Sequence, residues 1–338
     1  MTKRLFPFVC VAALMGAASP ALAADAVQRT LCVYDPSGAN GDVFNLMKDY
    51  RTEALKWGVD FDMKPYTDEK TAAEDFKAGK CQAVLMTGTR GRSFHKFAGT
   101  LEAMGALPDY KLLRKVVLSL SKKGAAKLMT SGDYESAAIF PGGAVYMLVR
   151  DGEIDTVEEL AGKKLATLDF DEAAKVMVKK VGASLVPADV STFGGMFNNG
   201  SVEVAYAPAT AYQALELYKG VGDKGAVIRY PLAQMTLQLL IKSKDFPEGF
   251  GEQSRAYAAS KFDQAMKMVQ QAEKKIPAKA WKDIPAEDKV RYDEMFLKVR
   301  VELRDGHGRI YHPTALKLMR KARCKADAAR AECALKQE

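Results

Sequence analysis

A chain of 338 residues, 48% of them hydrophobic and 27% charged, is long enough for about two domains with substantial cores. Its net charge of +8 is carried by basic residues interspersed with Asp and Glu nearly everywhere, which argues for a solvated mixed surface and against the clustered footprint of a nucleic-acid binder.

The first element is not part of the fold. Lys3 and Arg4 form a positive start, Leu5 to Met15 is an almost unbroken apolar run, and Ala21-Leu22-Ala23 fits the A-x-A pattern of a signal-peptidase site. The run is too short for a membrane-spanning helix, which takes about 20 residues. Residues 1–23 are therefore predicted to be a secretory signal, with the mature, periplasmic chain starting at Ala24. No second long uncharged apolar run follows, so direct membrane insertion is not expected. Loss of Lys3 and Arg4 lowers the net charge to +6. Cys10 leaves with the signal and has no lipobox around it. Cys32, Cys81, Cys324 and Cys333 remain, an even number in an exported chain, with three possible connectivities. Cys324 and Cys333 are close in sequence and are expected to pair. Cys32 and Cys81 each open a strand-like run and can bridge if those strands are neighbours; two free buried thiols are the alternative.

Leu31–Tyr34 reads as a strand, broken by turn residues from Asp35 to Gly41. Asp42 is a candidate N-cap for a helix whose apolar stripe runs through Val43, Phe44, Met47, Tyr50, Leu55 and Trp57. Val59–Met63 alternates as a strand, a helix runs from Thr67 to near Gly79, and Ala83–Met86 is a third strand. A second copy of the pattern follows: a strand at Val145–Val149, a short helix at Thr156–Leu160 capped by Thr156, a strand at Lys164–Leu168 and a helix at Asp171–Val181. Then come a strand at Ser184–Val186, a helical turn at Phe193–Asn198, a strand at Val202–Tyr206 and a helix at Tyr212–Tyr218. Strands at Ala226–Tyr230 and Met235–Ile241 precede a C-terminal third of helices, expected to brace the first lobe. Alternating strands and helices predict an α/β fold with parallel sheet. The chain is expected to build one lobe from residues 24–148, cross near Val149 to a second lobe of residues 149–234, and cross back near Gln234 so that residues 235–338 rejoin the first. Two crossings place a ligand cleft between the lobes.

Three stretches carry a family resemblance. Val157-Glu158-Glu159-Leu160-Ala161-Gly162-Lys163-Lys164-Leu165, Gly182-Ala183-Ser184-Leu185-Val186-Pro187 and Asn199-Gly200-Ser201-Val202-Glu203-Val204 resemble, in content and spacing, motifs of the TRAP-transporter (DctP-like) periplasmic solute-binding proteins. The Asp35-Pro36-Ser37-Gly38 opening is shared with an orphan subgroup of such proteins, some labelled as efflux components. The resemblance implies a two-lobed, periplasmic-binding-protein-like (type II) fold with C-terminal helices. It also implies a hinge that closes on a small-molecule solute, and a membrane transporter component as partner. Family members that bind carboxylates carry an arginine two positions after the Lys-Lys-like pair, where this chain has Ala166. A bidentate guanidinium clasp is thus missing at that position.

Three loops are expected to meet at the cleft. From the first lobe come Tyr34, Asp35, Ser37 and Gly38, where a helix start offers unpaired N–H donors; an ordinary βα turn satisfies the same residues. The second loop holds Thr87, Gly88 and Arg90, with Arg90 or Arg92 able to stand in for the missing arginine, or merely solvated. It lacks P-loop spacing. The third comes from the second lobe: Asp169 and Asp171 after one strand, and Tyr206 and Pro208 after another, the positions where the resemblance puts ligand contacts. Acidic groups there suit an amine or another cation, although a helix N-cap explains Asp171 alone. Tyr34, Phe193 and Tyr206 could stack on an organic ligand or be core. Gln234, with Gln238 on the same side of the returning strand, is a candidate at the hinge.

Enzyme motifs are not found. His95, His307 and His312 stand apart from any metal-ligand spacing, no G-x-S-x-G elbow occurs, and no Cys–His arrangement remains once the cysteines are bridged. No catalytic residue, metal ligand or cofactor is expected. The alternatives are a periplasmic accessory protein of an efflux system with no small-molecule ligand, and an enzyme on the same scaffold.

Overall fold

A computed structural model describes residues 26–306 and 308–338. The expected signal at residues 1–23, Cys10 within it, and His307 lie outside the described residues. No described helix is long and apolar enough to cross a membrane.

The strands are β1 (Val27–Tyr34), β2 (Val59–Tyr66), β3 (Ala83–Thr87), β4 (Thr130–Ser131), β5 (Tyr134–Val149), β6 (Lys164–Leu168), β7 (Ser184–Ala188), β8 (Val204–Pro208), β9 (Ala226–Lys242) and β10 (Trp281–Lys282). They form one sheet in the order β2-β1-β3-β9-β5-β8-β6-β7, with β10 on β9 and β4 on β5. Each end is a block of three parallel strands, β2-β1-β3 and β8-β6-β7. The long strands β9 and β5 run antiparallel to each other and to the blocks they touch. Strand β5 starts well before the strand expected at Val145–Val149, and β9 runs unbroken through the two strands expected at Ala226–Tyr230 and Met235–Ile241.

The register makes the cleft. Thr87, at the carboxyl end of β3, lies opposite Leu237, and Pro208, at the carboxyl end of β8, lies opposite Val145. Val145 in turn pairs with Ala233, only four residues from Leu237. The carboxyl ends of both blocks therefore converge from opposite sides on one short stretch of the central pair. There the ladder is irregular: Gly142 has no partner between Pro141 and Gly143, and Arg229–Leu232 stand opposite Tyr146 alone. Such bulges bend and twist a strand pair locally, which suits a connection between two lobes.

Local chemistry sets the helices. Asp68, Asp109, Asp171 and Asp189 are N-caps whose carboxylates accept a backbone N–H three residues on. Helix Tyr110–Leu120 buries Leu112, Leu113, Val116, Val117 and Leu120 on one face, each side chain contributing about 1.5–3 kcal/mol of gross burial energy. The Thr156 cap is not used: a 3-10 turn at Glu158–Leu160 starts at Val157, while the Glu159 carboxylate takes the N–H groups of Asp155 and Thr156. The C-terminal helices do more than brace the first lobe. Helix Ala286–Asp305 carries Tyr292, whose hydroxyl accepts the Val157 N–H at 2.9 Å, and Glu302, which pairs with Lys180 at 2.7 Å, so it also holds the second.

Both expected disulfides are present. Cys32–Cys81 joins β1 to the residues entering β3, with Cα atoms 6.0 Å apart, and Cys324–Cys333 closes the last helical hairpin, with Cα atoms 5.6 Å apart. Beneath that hairpin lies a buried charge cluster. Glu332 receives Arg323 at 2.6 Å and Arg300 at 3.0 Å, and Glu338 pairs with both arginines. The remaining guanidinium donors reach the carbonyls of Met104 and Ala106, tying the C-terminal hairpin to the first lobe.

Candidate functional site

A cavity of about 390 Å³ opens where the two strand blocks converge, a size typical of small-molecule sites, roughly 300–1,000 Å³. Its wall is mainly apolar and includes Met104, Leu232, Met235 and Phe296, with polar groups from both strand blocks among the lining residues.

The first-lobe wall begins at Tyr34, at the end of β1. Asp35 follows, buried, and its two carboxylate oxygens accept the N–H of Ser37 (2.8 Å) and of Phe44 (3.0 Å). Asp35 thus pins the loop against the start of helix Asp42–Leu55, while Ser37 stays exposed at the rim. Gly38 sits behind the wall in the left-handed region (φ +62°), the reason a glycine is needed in this turn. Burial pushes the Tyr34 phenol far up, and neighbouring Glu69 and Asp35 add to it, so it stays protonated and able to donate.

The second loop is held by two buried glutamates that the sequence reading missed. Glu69 accepts the Thr87 N–H at 2.7 Å. Glu102 accepts the N–H of Gly88 (2.8 Å) and Thr89 (2.7 Å), the Thr89 hydroxyl (2.6 Å), and both the N–H and hydroxyl of Thr236 (2.7 Å each). Burial raises both carboxyls; the hydrogen bonds from Thr87 to Glu69, and from Thr89 and Thr236 to Glu102, oppose it. Glu69 looks in sequence like an ordinary first-turn acid, and Glu102 lies in a stretch with no strand or helix signal. Gly88 leaves no room for a side chain, since a Cβ there would lie 2.5 Å from the Gln238 amide nitrogen and 2.6 Å from Glu102.

Arg90 is just beyond this loop, not on the cavity wall itself. Its Nε lies 3.6 Å from Glu69 Oε2, and its guanidinium carbon is 3.4 Å from the ring centre of Phe170 in the other lobe. Arg92, which does reach the wall, donates to the Gly99 carbonyl at 3.3 Å and faces the Tyr311 ring at 5.1 Å.

From the second lobe, Asp171 caps helix Glu172–Lys180 through the Ala174 N–H (3.1 Å) and accepts the Tyr206 hydroxyl (3.3 Å). That hydroxyl also accepts the Leu168 N–H at 3.3 Å, so Tyr206 ties the ends of β6 and β8 together. Phe193 meets Tyr206 edge to face at 5.9 Å, and Pro208 continues the wall. Asp169 is exposed, away from the wall, where its carbonyl accepts Lys175. Ala166 is fully buried in β6.

The structure therefore places Tyr34, Asp35, Ser37, Thr87, Phe193, Tyr206 and Pro208 on the wall, and Gly38, Gly88, Arg90, Asp169 and Gln234 off it. Gln234 is buried opposite Ala144, whereas its neighbours Ala233 and Met235 face the cavity; strand alternation turns Gln234 to the other side. Gln238 is also buried, donating to the Ala98 carbonyl and the Thr236 hydroxyl (2.9 Å each). Phe170, Thr89, Met104 and Phe296 are wall residues that the sequence reading did not single out. Among the described residues no group of three or more His, Cys, Asp or Glu side chains is placed to hold a metal ion.

Comparison with known proteins agrees with this architecture. The chain is 40% identical over 306 residues to the probable solute-binding protein AdeT1 of Acinetobacter baumannii, covering 90% of this chain and 100% of that protein. It is 27% identical to AdeT2 of the same organism, over 70% of this chain and 98% of that one. Among solved structures, a TRAP periplasmic solute-binding protein from Desulfovibrio salexigens with bound orotic acid superposes with a TM-score of 0.72 at 15% identity, covering 88% of this chain and 99% of that one. The periplasmic ectoine-binding protein of the TeaABC TRAP transporter from Halomonas elongata gives 0.71 at 13% identity, covering 90% and 100%. At those identities the likeness establishes the fold: the two-lobed fold of TRAP periplasmic solute-binding proteins. The family described as solute-binding protein AdeT 1/2 matches residues 52–338, and the chain belongs to that family of solute-binding proteins.

Proposed function

We propose that this protein captures a small organic solute between its lobes in the periplasm, presents it to a membrane transporter component, and performs no chemistry on it. The observation that carries the reading is the convergence of Thr87 and Pro208, from opposite lobes, on a cavity of about 390 Å³. A guest there touches both halves at once, and contacts available only in the closed form shift the hinge equilibrium toward it. Orotic acid and ectoine, the ligands named for two structural neighbours, are compact solutes of the size such a cleft accepts.

The wall suits a solute with an apolar or aromatic body and a few polar atoms. Tyr34, Ser37 and Thr89 offer hydroxyls, while Phe170, Phe193 and Tyr206 present ring surfaces. With Ala166 buried in β6, the second lobe has no guanidinium at that position for a carboxylate.

A thermal-shift screen across organic acids, amines and zwitterions tests the proposal. A ligand at a hundred times its Kd adds about 2.7 kcal/mol to native stability, which raises Tm by roughly 5 °C for a chain of this size. The hit should be recovered chemically unchanged after incubation. A flat screen, together with a stable complex with a membrane component, would instead establish an accessory protein without a ligand; turnover of the hit would establish an enzyme.

A further inference from the structure

One charged side chain of the first strand block reaches a ring of the second with no guest between them. Arg90 belongs to the first lobe, in the short turn Gly88–Gly91 after β3, and Phe170 belongs to the second, between β6 and the cap residue Asp171. The Arg90 guanidinium carbon lies 3.4 Å above the Phe170 ring centre, so nothing separates the two planes. Behind it Glu69, itself buried and anchored by the Thr87 N–H, stands 3.6 Å from Arg90 Nε and fixes the direction of the side chain. The Arg90 backbone N–H is held by the Thr87 hydroxyl at 3.3 Å. Arginine and the face of an aromatic ring attract electrostatically, and the attraction grows as water is removed. Just beyond Phe170, Ala173 of the second lobe packs in the same buried cluster as Leu101, Leu107 and Tyr311, so the halves are already in contact without a guest.

We propose that the Arg90–Phe170 stack is a latch between the lobes that sets how much of the protein is closed before any solute arrives, with Glu69 as its positioning residue. A latched empty protein binds more weakly than an open one if the guest must part the stack, and more tightly if the guest enters a preformed cavity. The cavity and the stack coexist here, which favours the second case. The latch depends on the capture reading for its purpose, but not for its test.

The test is the interlobe distance in solute-free protein, its emptiness checked by native mass spectrometry. All four cysteines of the described chain are disulfide-bonded, so spin labels at Leu55→Cys in the first lobe and Lys219→Cys in the second report the distance by pulsed electron resonance. The unaltered latch should give mainly one short distance. Arg90→Ala and Phe170→Leu should each raise the open-to-closed ratio by roughly 3- to 30-fold, and the double variant should open no further than either single one. Phe170→Trp, which keeps an aromatic face, should stay closed, and Glu69→Gln should open partly. Circular dichroism excludes unfolding as the cause of any change. A distance distribution for Arg90→Ala or Phe170→Leu equal to that of the unaltered latch overturns the proposal. So does a mainly long distance before any substitution. A solute that still raises Tm in those cases leaves the capture reading standing while the latch falls.

Discussion

At the scale of single residues, the cleft is held in shape by carboxylates rather than by the groups that face a guest. Glu102 takes five hydrogen bonds from two separate segments, the Gly88–Thr89 loop and Thr236, so replacing it with Ala strands several buried donors at once. Each stranded donor costs about 1–3 kcal/mol; Glu102→Ala is expected to lose at least about 3 kcal/mol in urea unfolding, and Glu102→Gln distinctly less. The opposite case is Glu332. Burial alone would raise it, but the hydrogen bond and charge of Arg323, with Arg300 and Arg330, hold it down to about 2, against an ordinary value of 4.5. A carboxyl whose folded pKa is depressed lends stability above its unfolded pKa and loses it as the pH falls. The contribution, roughly 3 kcal/mol, is therefore complete above about pH 5 and disappears toward pH 2. Glu332→Gln should flatten the acid limb of stability against pH between those values, and an unchanged slope would contradict this assignment.

At the scale of elements, the bulge in β5 depends on backbone that favours glycine. Gly143 has φ +112°, and at Gly142 a Cβ would lie 2.6 Å from the Met235 methyl and 3.2 Å from its carbonyl. Gly143→Ala should cost roughly 1–3 kcal/mol of stability by thermal unfolding, and it should also weaken solute binding because the bend of β5 positions Pro208 and Tyr206. Those same residues explain what was legible. Strands β1, β3, β6 and β8 and the Asp171 cap could be read because their apolar runs end in clear turn or cap chemistry. The first half of β5 could not, since Pro141-Gly142-Gly143 reads as a break, yet here it is a bulge inside a continuous strand. Pro231 hides the continuity of β9 in the same way. Gln234 was misplaced for a related reason: spacing along a strand says which residues share a face, but not which face meets the cleft. Arg90 and Phe170 are far apart in sequence, and neither carries a signal of the contact they make.

At the scale of the whole molecule, two three-stranded blocks are joined through one antiparallel pair and spanned by helix Ala286–Asp305, which touches the second lobe through Tyr292 and Glu302 and the first through Arg300. The disulfides lie outside the central pair β5–β9, one within the first block and one in the C-terminal hairpin. Closing loops of about 10 and 50 residues, they stabilise by roughly 3 and 4 kcal/mol in the chain-entropy picture. Reduction should therefore lower Tm while leaving solute affinity largely intact at temperatures where the protein stays folded. What makes such a molecule a receptor is a guest held by both halves. Native mass spectrometry of freshly purified protein reads this most directly. The account predicts a mass excess of one small molecule per chain, lost on mild activation and restored by the hit from the thermal screen. A bare polypeptide mass that no solute in the screen ever increases would contradict it.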